Sequence, residues 1–93
     1  MKPVTTTDFF RSLANEKRQQ IVFEVLSDKE GHTVGEIADR LRVAHSTASE
    51  HLAILKRSGV AVAEKREREV YYRLDVAGIR KVLTHLNDWL DCC

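Results

Sequence analysis

The sequence predicts a mostly helical domain with one small β-hairpin, in the element order ααααββα. Two patterns carry this prediction. Apolar residues recur at helical spacing along most of the chain, whereas residues 60–74 alternate in polarity around a charged tip, which is typical of a hairpin. A chain of 93 residues has the length of one domain, and so we assign residues 1–93 to a single unit.

The first two helices are predicted from their caps and their apolar faces. Thr5–Asp8 is typical of a helix start, and apolar residues follow it at helical spacing. Asn15 can cap a second helix, whose apolar stripe is formed by Ile21, Val22, Val25 and Leu26. We place the end of this helix near Glu30–Gly31, since glycine suits the C-terminal turn of a helix.

The third and fourth helices follow each other closely. Thr33 and Glu36 have the spacing of a capping box, in which a hydroxyl and a carboxylate each bond a backbone N–H at the helix start. A turn over Arg42–Ala44 leads into a fourth helix that stops at Ser58–Gly59. The inward face of this fourth helix is formed by Ala48, Leu52 and Leu55.

The rest of the chain is predicted as a hairpin and a last helix. Val60 and Val62 alternate with alanines, a charged tip follows at 65–68, and Val70–Leu74 form the second strand. Asp75 then starts a helix with apolar residues through Leu90.

Composition narrows the class of protein. Hydrophobic residues make up 43% of the chain and charged residues 31%, which fits a folded globular protein rather than a disordered one. No apolar run approaches the roughly 20 residues that span a bilayer, and the first residues contain no apolar segment of a signal peptide. We therefore expect a cytoplasmic protein with no membrane partner.

Charge is unevenly distributed along the chain, although the net charge is only +1. Residues 40–68 carry seven basic and three acidic residues, a balance of +4. Residues 1–39 carry five basic and seven acidic residues, and residues 69–93 carry three and four. One central segment therefore holds the positive potential, which suits contact with phosphate.

Residues 33–58 form a helix, a tight turn and a second helix, and a hairpin follows directly, so the sequence predicts a winged helix-turn-helix. The second helix of such a unit fits the roughly 12 Å wide major groove of DNA, and the wing reaches phosphates or the minor groove beside it. The alternative is a capped and solvated helix end, as most Ser/Thr-rich helix starts are. The side chains available to DNA are His45, Ser46, Thr47, Ser49, Glu50, His51 and Arg57.

Several motifs resemble the ArsR/SmtB family of winged-helix repressors, over residues 9–90. They are Leu13-Ala14-Asn15-x-x-Arg18, Glu36-Ile37-Ala38, the run 45–60 and Val70-Tyr71-Tyr72-Arg73-Leu74. The resemblance implies a homodimeric bacterial repressor that binds an inverted-repeat operator in double-stranded DNA and leaves it when an effector binds. The DNA contacts that it implies are His45, Ser46, Thr47, Ser49 and His51 on the helix, and Lys65, Arg66 and Arg68 on the wing.

Three residues depart from the family pattern. Ala44 stands where the family usually has a serine that can cap the recognition helix, and Glu50 stands where Arg or Gln is common. A carboxylate at position 50 repels phosphate, although it can accept a hydrogen bond from cytosine N4. Glu67 replaces the usual wing glycine, so we expect a different turn at the hairpin tip.

The sensing sites of the family are not intact in this sequence. Thr33 and Gly35 occupy the positions of the Cys-x-Cys pair in the arsenic and cadmium sensors. The zinc-site positions are occupied by Val76, Gly78, Trp89 and Cys92, of which only the last could bind a metal. We therefore predict no resident metal and no cofactor, and we expect that zinc does not release the protein from DNA.

A different cluster on the last helix could sense an effector. His85, Asp88 and Cys92 follow one another at i, i+3 and i+7, with Cys93 adjacent. Three interpretations stay open, namely a solvated helix face with a frayed end, a thiol switch, and a divalent metal at His85 and Asp88. His32 is interpreted as an exposed loop residue.

The terminal helices carry more apolar residues than a small core needs, and so we expect a dimer interface between the first and last helices. The alternative is an ordinary core. The candidate interface residues are Phe9, Phe10, Leu13, Leu83, Leu86, Trp89 and Leu90.

Two other function classes compete with a DNA-binding regulator. A winged helix can serve as a protein-interaction module without sequence-specific DNA binding, since the fold alone does not determine function. The basic recognition helix and wing favour DNA. An enzyme is not expected, because the sequence has no Gly-rich phosphate loop and its thiols lie at the chain end without an adjacent base.

Overall fold

A computed structural model describes residues 4–92. These residues form five α-helices and three short strands in the order ααβααββα. The helices are α1 (Thr6–Leu13), α2 (Glu16–Gln20), α3 (Val34–Leu41), α4 (His45–Arg57) and α5 (Val76–Cys92). The strands are β1 (His32–Thr33), β2 (Ala61–Arg66) and β3 (Glu69–Leu74). α2 continues without a break as a π-helical turn over Ile21–Val25 and a 3-10 turn over Leu26–Asp28.

The predicted mostly helical fold with a β-hairpin is confirmed, and the element order is corrected by β1. The two residues of β1 pair antiparallel with β3, placing His32 opposite Tyr72 and Thr33 opposite Tyr71. The sheet therefore has three strands in the order β1-β3-β2. A two-residue strand is too short to show alternation, and so it left no pattern in the sequence.

The predicted helix starts are confirmed by hydrogen bonds at the caps. Asn15 Oδ1 accepts from the backbone N–H of Arg18 at 3.1 Å. Thr33 and Glu36 form the complete capping box of α3. At α5, Asp75 Oδ1 accepts from the backbone N–H three residues later at 3.1 Å. Each bond satisfies a donor that would otherwise lack a partner in the first helical turn.

The end of the second helical segment differs from the prediction at Glu30–Gly31. The chain leaves the helix at Lys29, which takes the left-handed conformation with φ of 65°. The backbone N–H of Lys29 donates to the Leu26 carbonyl at 3.2 Å, closing the 3-10 turn. Gly31, with φ of 95°, lies beyond the helix and directs the chain into β1.

One hydrophobic core joins the helices to the base of the hairpin. α4 supplies its centre, where Ala48, Leu52 and Leu55 are fully buried, as predicted. The other buried apolar residues are Phe9, Ile21, Val22, Val25, Leu26, Ile37, Ala38, Leu41, Val60, Ala61 and Val82. No helix among residues 4–92 is long and apolar enough to cross a bilayer.

Candidate nucleic-acid interface

A three-residue turn joins α3 to α4. Arg42 takes the left-handed conformation with φ of 58°, and the backbone N–H of Val43 donates to the Ala38 carbonyl at 3.1 Å. Ala44 is extended and occupies the N-cap position of α4, where no side chain caps the helix. α4 therefore begins at His45 with its first backbone N–H groups uncapped by a side chain.

Burial of one face of α4 leaves the opposite face exposed. Ser46, Ser49 and Glu50 are exposed along it, and His45 is exposed in the first turn. Thr47 and His51 are half-buried on the flank. The residues in the N-terminal half of α4 that are predicted to contact DNA therefore lie on one exposed surface and along its borders.

Arg57 lies at the other end of α4. Arg57 is twelve positions after His45, which corresponds to about 18 Å along the helix axis. Arg57 lines a cleft of about 310 Å³ together with residues of α1, including Arg11 and Ser12. The structure therefore separates Arg57 from the cluster at the start of α4.

The wing is a regular antiparallel hairpin that ends in a two-residue turn. Arg66 pairs with Glu69, and Glu67 and Arg68 form the tip. Glu67 has φ of 56°, in the left-handed region that favours glycine. Lys65 and Arg68 are exposed at this end of the wing, as a phosphate contact requires.

Arg66 is engaged by its own domain. Its guanidinium lies 4.7 Å from the ring centroid of Tyr71, a cation–π contact. Its Nη2 donates to Glu64 Oε2 at 3.4 Å and to the Glu30 carbonyl at 3.5 Å. Arg66 is one of the three wing cations predicted to contact DNA. Its guanidinium would have to leave these partners before it could reach a phosphate.

The wing and the helix-turn-helix meet at a small cleft. It has a volume of about 280 Å³ and is lined by Thr33, Val34, Gly35, His45, Glu69 and Val70. The base of the wing tip thus adjoins the starts of both α3 and α4.

Sequence reasoning missed the partner of His51. Nη1 of Arg18, on α2, lies 3.3 Å from Nδ1 of His51. Burial lowers the pKa of His51, and the charge of Arg18 lowers it further. The motif containing Arg18 was recognised in the sequence, but nothing in its spacing indicated a contact with α4.

The interpretation of His32 as an exposed loop residue was wrong. His32 is only 12% exposed in its side chain and lies between two carboxylates. Its Nε2 is 2.7 Å from Asp28 and its Nδ1 is 3.2 Å from Glu36. Burial lowers the pKa of His32, but the hydrogen bonds to the two carboxylates outweigh it and the net pKa is raised. The i, i+4, i+8 spacing of these three residues was the available signal.

The candidate interface residues of α1 and α5 fall into two groups. Phe9 belongs to the core of the single chain, and Leu13 and Leu86 pack against that core. Four others are at least half exposed, namely Phe10, Leu83, Trp89 and Leu90. Phe23, which sequence reasoning did not select, is 61% exposed. It lines a groove of about 670 Å³ with Phe10 and Leu83.

The candidate effector residues lie on the exposed surface of α5. His85, Asp88 and Cys92 are all exposed, and the thiol of Cys92 donates to the Trp89 carbonyl at 3.5 Å. Cys93 lies outside the described residues. Among residues 4–92, no three His, Cys, Asp or Glu side chains are grouped so that they could hold a metal ion.

Comparisons with known proteins agree with this architecture. Residues 13–64 match the family model of a helix-turn-helix domain. The HTH-type transcriptional regulator YbzH of Bacillus subtilis is 33% identical, over 92% of this chain and 96% of that protein. The transcriptional activator HlyU of Vibrio cholerae is 32% identical, over 83% of this chain and 69% of that protein.

Solved structures agree as well. The structure of HlyU from Vibrio cholerae superposes with a TM-score of 0.69 at 31% identity, over 94% of this chain and 91% of that one. The homodimeric winged helix-turn-helix DNA-binding domain Mb0332 from Mycobacterium bovis, a possible ArsR-family regulator, gives a TM-score of 0.70. It is 29% identical over 88% of this chain and 77% of that one.

Proposed function

The chain belongs to the ArsR/SmtB family of winged helix-turn-helix transcriptional regulators, and from this we propose that it represses transcription by binding an inverted-repeat operator as a homodimer. One observation carries the proposal. The exposed start of α4 at His45 lies across a small cleft from Glu69 and Val70, which follow the cationic wing tip directly, and this arrangement supports contact of one duplex with both elements.

The two elements have different tasks in this proposal. Hydroxyls and imidazole at the start of α4, from His45, Ser46 and Ser49, are short donors and acceptors that suit base edges in the major groove. The wing cations Lys65 and Arg68 suit the phosphate backbone, which carries no sequence information. Sequence preference therefore comes from α4, and general affinity comes from the wing.

A DNA-binding titration at several salt concentrations tests this division. We expect Arg68→Ala to weaken binding to all duplexes equally and to reduce the salt slope by about one. Ser49→Ala is expected to change which duplexes are preferred. Arg66→Ala is the matched wing control, with a smaller effect on the salt slope because its guanidinium is engaged with Tyr71 and Glu64. Wing variants that alter sequence preference while α4 variants do not would reverse the assignment.

A homodimer supplies the second half of an inverted repeat. Two recognition helices related by a two-fold axis reach major grooves about 10 bp apart. The exposed apolar side chains Phe10, Leu83, Trp89 and Leu90 provide the surface for this contact between terminal helices. The Mycobacterium bovis relative is itself described as homodimeric.

Sedimentation of the parent and of a Trp89→Ala variant tests the interface. We expect the parent to be a dimer at micromolar concentration and the variant to dissociate more readily. Glu24→Ala, on the exposed surface of the π-helical turn, serves as control. A parent that sediments as a monomer and binds a half-site 1:1 would contradict the homodimer.

An effector response is proposed at the end of α5. Cys92 is exposed and its thiol contacts the carbonyl of Trp89, so an adduct or an inter-subunit disulfide there changes the packing of the terminal helices. A Cys92→Ser/Cys93→Ser variant titrated on DNA beside the parent tests this, with arsenite for an adduct, peroxide or persulfide as the oxidant for a disulfide, and zinc. Loss of the thiol response in the variant supports it, and zinc release that survives in the variant would point to His85 and Asp88 instead.

We propose that the protein regulates transcription and does not catalyse a reaction. We also propose that it lies in the cytoplasm, where a bacterial operator is accessible. The transcriptional regulators to which the chain is related support both statements. The competing function is a winged-helix module that binds protein. It predicts no salt-dependent binding to any duplex, which the titration above measures directly.

A further inference from the structure

Arg18 connects three helices at the edge of α4. Its Nε donates to the carbonyl of Ser12 in the last turn of α1, and its Nη1 lies 3.3 Å from Nδ1 of His51. Its backbone N–H is bonded to Asn15 Oδ1. The half-buried guanidinium is therefore held in place before it meets His51.

This contact determines which nitrogen of His51 carries the proton. A guanidinium has donors and no acceptor, so Nδ1 of His51 must accept and must be unprotonated. A neutral imidazole then carries its proton on Nε2, away from Arg18. Burial and the charges of Arg18 and Lys17 lower the pKa of His51, and only Glu50, on α4 itself, opposes them.

We propose that Arg18 is a positioning residue that fixes His51 as the Nε2–H tautomer and thereby makes His51 a neutral hydrogen-bond donor to a phosphate of the bound DNA. The inference rests on the proposed DNA-binding function and extends the interface from α4 to α2.

The position of His51 favours a phosphate over a base edge. His51 lies on the flank of α4 beside α2, whereas Ser46 and Glu50 occupy the outward face. A hydrogen-bond donor at the border of the recognition helix, held by a neighbouring helix, matches an acceptor oxygen of a phosphate.

A neutral donor has a signature that separates it from a cation. The slope of the logarithm of affinity against the logarithm of salt concentration is proportional to the number of phosphates that Lys and Arg neutralise. Loss of the His51 donor is therefore expected to reduce affinity for every duplex while leaving the salt slope unchanged. Arg68→Ala is the contrasting variant, because it removes a charge and is expected to reduce the slope.

Two amide substitutions test the tautomer. His51→Gln places an amide nitrogen near the position of Nε2, whereas His51→Asn places it near Nδ1. With a duplex of random sequence, we expect the Gln variant to bind within about twofold of the parent and the Asn variant about tenfold more weakly, the size of one hydrogen bond to a charged group. Equal affinities of the two variants, or a reduced salt slope in either, would overturn the proposal.

Nitrogen-15 spectra of the imidazole ring test the role of Arg18 without DNA. The parent is expected to show the Nε2–H tautomer, and Arg18→Met is expected to show a mixture with a higher pKa for His51. A native Nδ1–H tautomer would overturn the proposal even if the protein binds DNA well. A native Nε2–H tautomer in a protein that binds no duplex would instead contradict the DNA-binding function itself, and with it the phosphate contact.

The pH profile of Arg18→Met gives the last measurement. With the pKa of His51 raised, this variant is expected to recover affinity on going from pH 8 to pH 6, as the imidazole becomes a cation beside the phosphate. An Arg18→Met/His51→Gln variant controls for the other three histidines and is expected to lose this recovery. Recovery that persists in the double variant would refute the role of His51. Circular dichroism verifies that each variant is folded, and the two His51 substitutions test the proposal independently of Arg18.

Discussion

Glu67→Gly at the wing tip is expected to stabilise the protein. A residue with a Cβ in the left-handed conformation costs about 1–2 kcal/mol, and Glu67 has φ of 56°. Glycine removes this cost, but its freedom in the unfolded chain offsets about 0.4–1 kcal/mol. The net gain is about 0.5–1 kcal/mol, which for a domain of this size raises Tm by about 2–8 °C.

The same substitution removes a negative charge from the wing. Glu67 lies among Lys65, Arg66 and Arg68, so its loss raises the charge of these four residues from +2 to +3. We expect tighter binding to any duplex at low salt, since the repulsion between Glu67 and phosphate is lost. The backbone and charge effects therefore act together in Glu67→Gly.

Glu67→Gln separates the two effects. It removes the charge and keeps the Cβ, so it is expected to bind DNA like Glu67→Gly and to unfold at nearly the parent Tm. Thermal unfolding followed by circular dichroism at one fixed protein concentration measures the difference, because Tm depends on concentration in a dimer. If both variants have the same Tm, the strain assigned to Glu67 is not there.

Three further predictions concern stability. Ala44→Ser is expected to add about 1 kcal/mol, because α4 has no side-chain cap and Ala44 is already extended; an unchanged denaturation midpoint would contradict this. Leu52→Ala is expected to cost about 2–5 kcal/mol in urea unfolding, because Leu52 is fully buried, and a loss below 1 kcal/mol would show that the core closes around it. His32→Gln is expected to lower the free energy of unfolding most between about pH 4.5 and 6.5, as measured by urea unfolding at a series of pH values. Because the pKa of His32 is raised in the folded protein, its contribution to the free energy of unfolding is complete below pH 6.5, the ordinary pKa. That contribution is lost as the pH rises through the pKa of the folded state. The pKa values of Asp28 and Glu36 are lowered, mainly by hydrogen bonds from the backbone N–H groups of Glu30 and Thr33, respectively. The contribution of these two carboxylates to stability is therefore lost as the pH falls. A pH-independent difference between His32→Gln and the parent would refute it.

Long local patterns were readable from the sequence. The capping box at Thr33 and Glu36 and the three-residue apolar face of α4 lie in single helices, where spacing alone determines which side chains share a face. The hairpin was readable because its strands alternate on either side of a charged tip.

Contacts between distant segments were not readable. Arg66 contacts the carbonyl of Glu30, which is 36 positions away, and Arg18 contacts His51, which is 33 positions away. The assignment of Phe9 and Phe23 depends on how the helices are rotated in the tertiary structure.

Thr33 belongs to two elements at once. It closes β1 against β3, and it caps α3 through its hydroxyl. The wing is therefore joined to the first helix of the DNA-binding unit by backbone pairing, without a flexible linker. A hybrid regulator that takes the hairpin of a relative, residues 61–74, must therefore keep the register in which β3 pairs with residues 32–33, since a shift of that register would also displace the N-cap of α3.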